Sequence, residues 1–185
     1  MPSDNDLHKA AHKGDIDEVR KYVEGLDGED AIDVNESGAG DRRALHRSAG
    51  NGFIEISEYL ISKGAIVDQP DKSGKTPLHW AVLSAQLEAS TFLIQKGASV
   101  IAVSETKNNS LHFACEKGCA DIGKVICNTA AAVSPDALNS LFTSKNSEEK
   151  TPWDIAAGKK DATMCGMLKD AGDPGAAGSA ACVIS

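Results

Sequence analysis

Aromatic residues are scarce in this sequence, at 4% of 185 residues, although hydrophobic residues as a whole reach 41%. A core must therefore be built from Leu, Ile, Val and Ala, which pack thin helical layers closely. Long hydrophobic runs are missing as well, because no stretch approaches the roughly 20 apolar residues that a membrane-spanning helix needs. The composition thus favours a soluble fold assembled from small aliphatic side chains.

A net positive charge is also lacking. The chain has 27 acidic residues against 19 Lys and Arg, so its formal charge at pH 7 is −8. Phosphate binding needs a clustered Lys and Arg surface, whereas the basic residues here are scattered among carboxylates along the sequence. We therefore expect no nucleic-acid partner.

Secretion signals and a disulfide pattern are absent too. The first six residues contain neither a basic nor an apolar segment, and Pro2 stands where N-myristoylation requires Gly. The five cysteines are odd in number and lack the spacing of a disulfide scaffold, which fits a reducing compartment. The sequence predicts a cytoplasmic protein.

What the sequence does contain is a regular internal period. The pair Leu-His recurs at intervals of 33 residues, beginning at Leu45, Leu78 and Leu111. A small or apolar residue follows each Leu four positions later. A period of this length is typical of stacked supersecondary units.

The clearest of these units contains Thr-Pro-Leu-His-Trp-Ala at residues 76–81. Thr76 is a good helix cap, and the proline after it is favoured in the first helical turn. The sequence therefore predicts a first helix over about residues 77–84 and a second over about residues 88–95. Gly97 predicts a left-handed ending to the second helix.

This segment resembles the Thr-Pro-Leu-His-x-Ala signature of the ankyrin repeat family. Variants of it follow at residues 7–11, 43–49, 109–114 and 151–157, and a second helix is predicted near residues 121–127 after the variant at 109–114. The resemblance implies an all-α fold, an ankyrin-repeat solenoid of about five helix-turn-helix repeats with projecting finger turns. It places the ankyrin repeat domain at residues 1–172, with repeats at roughly 4–35, 41–70, 74–103, 107–141 and 149–172, followed by a flexible tail at 173–185.

Three irregularities accompany the repeats. The first unit has polar Lys9 where an apolar residue would pack, which is typical of a terminal cap. About five extra residues lie near residues 24–40, and about nine lie near residues 129–141. Ser134 and Pro135 predict a short capped helix inside the second insertion. The insertions are either partner-contacting loops or drift.

The resemblance also implies a binding surface. In ankyrin proteins the turn before each first helix projects as a finger, and the first helices line a concave face. A protein partner is therefore expected at Arg42, Asn51, Lys72, Ser73, Lys75, Leu83, Ser84, Glu105, Thr106, Asn108, Glu116, Lys117, Lys150 and Lys159. Leu83 is the apolar member of this set, and it is either a partner anchor or a singly exposed Leu.

No pattern in the sequence predicts a catalytic residue, a metal or a cofactor. Four histidines share one repeat position, namely His8, His46, His79 and His112. There the resemblance implies a hydrogen bond to the neighbouring turn, and a stack holds equivalent residues about one repeat apart. Cys115 and Cys119 are four residues apart, but no other Cys or His is spaced to complete a zinc site. We expect no enzyme.

The last four residues, from Cys182 to Ser185, fit a C-a-a-X motif whose terminal Ser predicts a farnesyl group on the cysteine. Residues 173–181 predict a flexible linker that presents Cys182. One lipid chain gives only marginal membrane residence, and no basic residue follows Lys169 to strengthen it. An unmodified tail is the alternative.

Together these patterns predict a monomeric, non-catalytic protein-interaction adaptor or regulator. It would lie in the cytoplasm and associate weakly with a membrane through the farnesylated Cys182. The alternative is a fully soluble regulatory subunit or inhibitor whose tail is unmodified. The sequence does not identify the partner.

Overall fold

The computed structural model describes residues 3–26, 28 and 30–178, and this part of the chain contains α-helices and short 3-10 turns but no strand. The helices are α1 (Asp6–Lys13), α2 (Ile16–Glu24), α3 (Ala44–Gly50), α4 (Ile54–Ser62), α5 (Pro77–Leu83), α6 (Leu87–Gln95), α7 (Ser110–Lys117), α8 (Ala120–Val133), α9 (Pro135–Thr143), α10 (Pro152–Gly158) and α11 (Ala162–Asp170). The predicted all-α fold is confirmed. The chain forms two compact units that divide between Ala98 and Ser99.

The first unit is built from three helix pairs in two layers. Helices α1, α3 and α5 lie side by side, and α2, α4 and α6 pack against them as a second layer. Leu7, Leu45 and Leu78 occupy equivalent positions in the first layer and are at most 1% exposed. The recurring Leu of the sequence therefore forms the spine of this unit's core.

The second unit contains two helix pairs and one inserted helix. Helix α7 packs against α10, and α8 packs against α11, which reproduces the two layers of the first unit. Leu111 and Trp153 take the spine position, and both are buried. The larger Trp153 replaces the Leu of the other repeats at this place in the core.

Reciprocal caps explain where the first helices begin. The hydroxyl of Thr76 accepts a hydrogen bond from the backbone N–H of His79, and Nδ1 of His79 accepts one from the N–H of Thr76, at 3.5 and 3.1 Å. In the last repeat Thr151 and Asp154 make the same exchange at 3.2 and 2.9 Å. Asp154 therefore supplies the cap that His supplies elsewhere.

The turn between the two helices of each repeat holds one left-handed residue at an equivalent position. These residues are Gly14, Gly52, Ala85, Gly118 and Lys160. Glycine adopts this conformation without a steric penalty, whereas the Cβ of Ala85 or Lys160 crowds the next carbonyl. Two of the repeats therefore carry a strained turn.

The second insertion forms helix α9, as the Ser-Pro pair predicted. The hydroxyl of Ser134 accepts a hydrogen bond from the N–H of Ala137 at 3.0 Å. Helix α8 continues to Val133, past the end predicted near residue 127, because nothing before Pro135 breaks an Ala-rich helix. At 14 residues α8 is the longest helix, and no helix among the described residues is long and apolar enough to cross a membrane.

The segment after α11 differs from the predicted flexible linker over residues 173–178. Asp173 is 4% exposed and accepts a hydrogen bond from the N–H of Gly175 at 2.8 Å. The 3-10 helix Pro174–Gly178 contacts α9, α10 and α11. The hydrogen bond to Asp173 and the contacts with these three helices hold the segment against the last repeat. Residues 179–185, with Cys182, lie outside the described residues.

Candidate protein-binding surface

The repeated histidines fasten the finger turns to the preceding first helices. The N–H of Arg43 donates to Nδ1 of His46 at 2.9 Å, which places the proton of the neutral ring on Nε2. Nε2 donates to the carbonyl oxygen of Lys75 at 3.1 Å, and His112 makes the equivalent bond to Lys150 at 3.1 Å. Burial lowers the pKa of His46 to about 4 and keeps the ring neutral. The predicted bond to the neighbouring turn is confirmed for these two histidines.

Buried polar side chains close the finger turns from inside. Oδ1 of Asp71 accepts hydrogen bonds from the backbone N–H groups of Ser73 and Lys75 at 2.8 and 3.0 Å. Oδ1 of Asn146 accepts the two equivalent N–H groups of the last finger at 3.0 and 3.1 Å. Both side chains are less than 9% exposed. The backbone polar groups are satisfied within the turn, which leaves the outer side chains available for other contacts.

Neighbouring fingers within a unit are joined by their backbones. In the first unit the N–H of Lys72 donates to the carbonyl oxygen of Gly40 at 2.9 Å. In the second unit the N–H of Ser147 donates to the carbonyl oxygen of Thr106, also at 2.9 Å. Each bond fixes the spacing of two fingers without using a side chain.

The predicted partner-contacting residues of the first unit differ in exposure and in the hydrogen bonds that they make within the unit. Lys72 and Ser84 are exposed, whereas Arg42, Ser73, Lys75 and Leu83 are half-buried. Nδ2 of Asn51 donates to the carbonyl oxygen of His12 at 2.9 Å and so joins the ends of α3 and α1. Asn51 therefore has a structural bond that a partner would have to displace.

In the second unit most predicted positions are exposed: Glu105, Thr106, Glu116, Lys117, Lys150 and Lys159. Oδ1 of Asn108 accepts a hydrogen bond from Nδ2 of Asn146 at 2.9 Å, which ties that side chain to the next finger. The Lys150 ammonium lies 2.7 Å from the Glu148 carboxylate, and Lys159 donates to a backbone carbonyl of α7. Of the predicted cations here, Lys150 is therefore paired with a carboxylate and Lys159 is engaged by the backbone of the same unit.

Trp80 lies at the centre of the first unit's predicted surface, although the sequence analysis did not single it out. The Arg42 guanidinium is 4.7 Å from the indole centroid, and the Lys75 ammonium is 5.9 Å from it. The indole N–H donates to Oδ2 of Asp71 at 2.9 Å. An aromatic residue in a first helix beside two basic fingers was the signal that could have found it.

Three cysteines, Cys115, Cys119 and Cys127, are free thiols in which burial opposes ionisation. Burial raises the pKa of Cys127 to about 12, and it also raises the pKa of Cys115 and Cys119. Because the thiolate is the form that attacks electrophiles and binds metals, these side chains are poorly suited to either task. No group of three His, Cys, Asp or Glu side chains able to hold a metal occurs in the described part of the chain.

Comparison with known proteins agrees with this architecture. The family model described as ankyrin repeats in three copies matches residues 7–104, which is more than half of the chain. The chain belongs to the ankyrin repeat family. Its repeats therefore form the kind of surface that mediates protein–protein interaction.

Individual relatives match over less of the chain. Human palmitoyltransferase ZDHHC17 is 39% identical over 77 residues, which is 41% of this chain and 11% of the relative. Putative palmitoyltransferase ZDHHC13 of Danio rerio is 35% identical over 78 residues, and serine/threonine-protein kinase 12 of Arabidopsis thaliana is 33% identical over 72 residues. The match spans 11% and 15% of those two relatives. A segment shared by a palmitoyltransferase and a protein kinase does not by itself specify either activity.

Proposed function

We propose that this protein is a non-catalytic adaptor or regulator that acts as a cytoplasmic monomer and holds a partner protein against its fingers and first helices. The proposal rests on one observation: the backbone polar groups of the finger turns are hydrogen-bonded within the turns themselves. Asp71 and Asn146 accept hydrogen bonds from the backbone of the turns, and several outer side chains, among them Lys72, Glu105 and Lys150, are exposed. Preorganised side chains lose little conformational entropy on binding, which favours a recognition surface.

Affinity purification of the full chain from eukaryotic cells tests this proposal. One variant carries Ala at four finger positions: Lys72, Lys75, Glu105 and Thr106. A matched variant carries Ala at exposed positions of second helices: Glu55, Glu88, Asp121 and Lys124. We expect the finger variant to lose the co-purified partner while the second-helix variant retains it. Equal retention by both variants, or loss only in the second-helix variant, contradicts the proposal.

We also propose that Cys182 carries a farnesyl group and gives weak, reversible membrane attachment. The proposal requires Ser185 to be the C-terminal residue, because prenylation reads the last four positions. A single lipid chain supports only marginal binding, and the exposed carboxylate of Asp170 near the tail adds repulsion from anionic lipid.

Intact-mass measurement and localisation of Cys182→Ser test the lipid. The expected result is a mass increase equal to one farnesyl group with loss of the last three residues, and a shift to the soluble fraction for Cys182→Ser. An unchanged mass with Ser185 present supports the alternative, a fully soluble regulatory subunit or inhibitor. In that case the adaptor proposal still stands on the finger variants.

A further inference from the structure

The cations of the first unit differ in their partners. Five of them lie in ion pairs with carboxylates at 2.6 to 3.5 Å: Lys9, Arg20, Arg47, Lys63 and Lys96. Arg42, Lys72 and Lys75 form no ion pair with any described residue, and all three lie on two adjacent fingers. The fold therefore gathers cations that are scattered along the sequence and leaves them uncompensated.

Two of these three cations lie beside an aromatic ring, that of Trp80. Arg42 and Lys75 both lie within 6 Å of the Trp80 centroid, at 4.7 and 5.9 Å. Trp80 is half-buried, and its N–H is held by Asp71, which also accepts hydrogen bonds from Lys75 and Ser73. Movement of the ring would break the hydrogen bond to Asp71 at the base of the finger.

Gly50, at the end of α3, lies beside the base of the Trp80 side chain. A Cβ on Gly50 would lie 3.6 Å from the Cβ of Trp80 and 3.9 Å from the Ser84 hydroxyl, which is ordinary van der Waals contact. The end of α3 therefore lies next to the part of α5 that carries Trp80.

The charge balance of the two fingers is opposite to that of the whole chain. Residues 39–43 and 71–76 contain four basic and two acidic side chains, an excess of two positive charges. Asp71 is buried under the finger, and the Asp41 carboxylate accepts a hydrogen bond from the Ser37 hydroxyl at 2.8 Å. Asp41 is half-buried like Arg42 and Lys75, whereas Lys72 is exposed, so the surface of the two fingers has a net positive charge.

We infer that the cluster of Arg42, Lys72, Lys75 and Trp80 is a docking site for an acidic, extended segment of the partner protein. Partner carboxylates would pair with the guanidinium and the two ammonium groups, and an adjacent apolar side chain would lie on the indole. This inference rests on the proposed adaptor function and names the chemistry of the partner. Desolvated Arg and Trp side chains are frequent centres of binding energy at such interfaces.

The chain as a whole favours a protein segment over other polyanions. Its net charge of −8 repels nucleic acid and an anionic bilayer at long range, because both present extended negative surfaces to the entire molecule. A short acidic segment needs only the local positive field of the two fingers. Such a segment would bind more weakly as salt screens that field.

Peptide binding to the purified full chain tests the inference. The probe is a fluorescein-labelled peptide alternating Asp and Val, beside a matched peptide with Asn at every Asp. One variant replaces Arg42, Lys72 and Lys75 with Gln. The control replaces three exposed cations outside the cluster and outside the predicted partner surface, Lys13, Lys124 and Lys160, with Gln and therefore has the same net charge.

We expect the acidic peptide to bind at least about tenfold more tightly than the Asn peptide, a difference of about 1.4 kcal/mol. The cluster variant should lose this preference, and the control variant should keep it. In a Trp153→Phe background the emission of Trp80 should shift when the acidic peptide binds. Equal binding by the two variants, or no shift in Trp80 emission, overturns the inference.

Two further outcomes separate this inference from the adaptor proposal. If vesicles of phosphatidylcholine and phosphatidylserine bind through the cluster and the acidic peptide does not, the inference is wrong and the cluster is a lipid site. If the cluster variant still retains a partner that the four-position finger variant loses, the adaptor function stands without this docking site.

Discussion

The Nε2–H of His46 donates a hydrogen bond to the carbonyl oxygen of Lys75, with 3.1 Å between the two atoms, and so connects helix α3 to the next finger. The bond requires a neutral ring whose Nδ1 accepts from Arg43. Because Lys75 is part of the proposed docking site, the protonation of a buried histidine is linked to the shape of the surface.

We therefore predict that stability falls as the pH is lowered from about 6.5 towards 4. Burial is the first cause of the low pKa of His46, about 4 against an ordinary 6.5, and burial also lowers the pKa of His8 and His112. In the unfolded chain these histidines bind protons at higher pH than in the folded chain. Their contribution to the free energy of unfolding is therefore complete above pH 6.5 and is lost as the pH falls through 4. His46 alone accounts for up to about 3 kcal/mol.

Urea unfolding at several pH values between 7.5 and 4 measures this dependence. His46→Gln is the comparison, because it removes one of the titrating groups. Its free energy of unfolding should fall less steeply than that of the native chain over the same range. Identical slopes for the two proteins would contradict the assignment.

Ala85→Gly should stabilise the first unit by about 0.5–1 kcal/mol. Ala85 has φ of 58°, a left-handed conformation that glycine adopts without strain. The reverse change at the equivalent position, Gly118→Ala, should destabilise, because φ there is 70° and the added Cβ would lie 2.9 Å from a carboxylate oxygen of Asp161. Thermal unfolding of both variants decides the point, and a lower midpoint for Ala85→Gly would show that strain at this turn is not limiting.

Trp80→Phe should cost about 1–2 kcal/mol, because it removes the N–H that Oδ2 of Asp71 accepts and leaves that buried oxygen without its donor. Trp153→Phe should cost less, although Trp153 is more deeply buried. Nε1 of Trp153 is buried and makes no hydrogen bond with the described residues, so only ring volume is lost there. Chemical denaturation of the two variants gives the comparison, and a larger loss for Trp153→Phe would contradict it.

Asp173→Asn should gain stability relative to the native chain as the pH rises from 4 to 7. Burial raises the pKa of Asp173 above its ordinary value, and Oδ2 is buried without a hydrogen-bond partner among the described residues. Deprotonation of Asp173 is therefore less favourable in the folded state than in the unfolded state. The native chain loses stability as the pH rises from the unfolded pKa of this carboxyl through its folded pKa. Asn keeps an oxygen for the N–H of Gly175 and removes the charge. A constant difference between the two proteins at pH 4 and pH 7 would refute this.

The sequence was sufficient for the stacked architecture because each repeat carries its own local signals. Thr76 caps a helix where predicted, Thr151 caps the equivalent helix of the last repeat, and Gly97 ends α6 in a left-handed conformation. Helix α8 ends at Val133, six residues beyond the predicted end at Cys127, because the helix propensity of the Ala-rich segment extends it past the length of the repeat pattern.

The surface was harder to predict, because it depends on side chains that meet only after stacking. The bond of Asn51 to His12 and the contact of Arg42 with Trp80 each join residues 38 or 39 positions apart. A position-by-position reading assigns each residue to a face, but it does not show which neighbours engage it. The sequence pattern therefore predicts a freely presented Asn51 and does not reveal the contacts of Trp80.

Two backbone hydrogen bonds affect which substitutions the fold tolerates. They run from Lys72 to Gly40 and from Ser147 to Thr106. The spacing of the fingers rests on main-chain atoms that every amino acid except proline possesses. Random substitution at residues 72 and 147 should therefore yield libraries in which almost every member folds. Substitutions at the exposed ends of the fingers could then give the protein new partners without preventing it from folding.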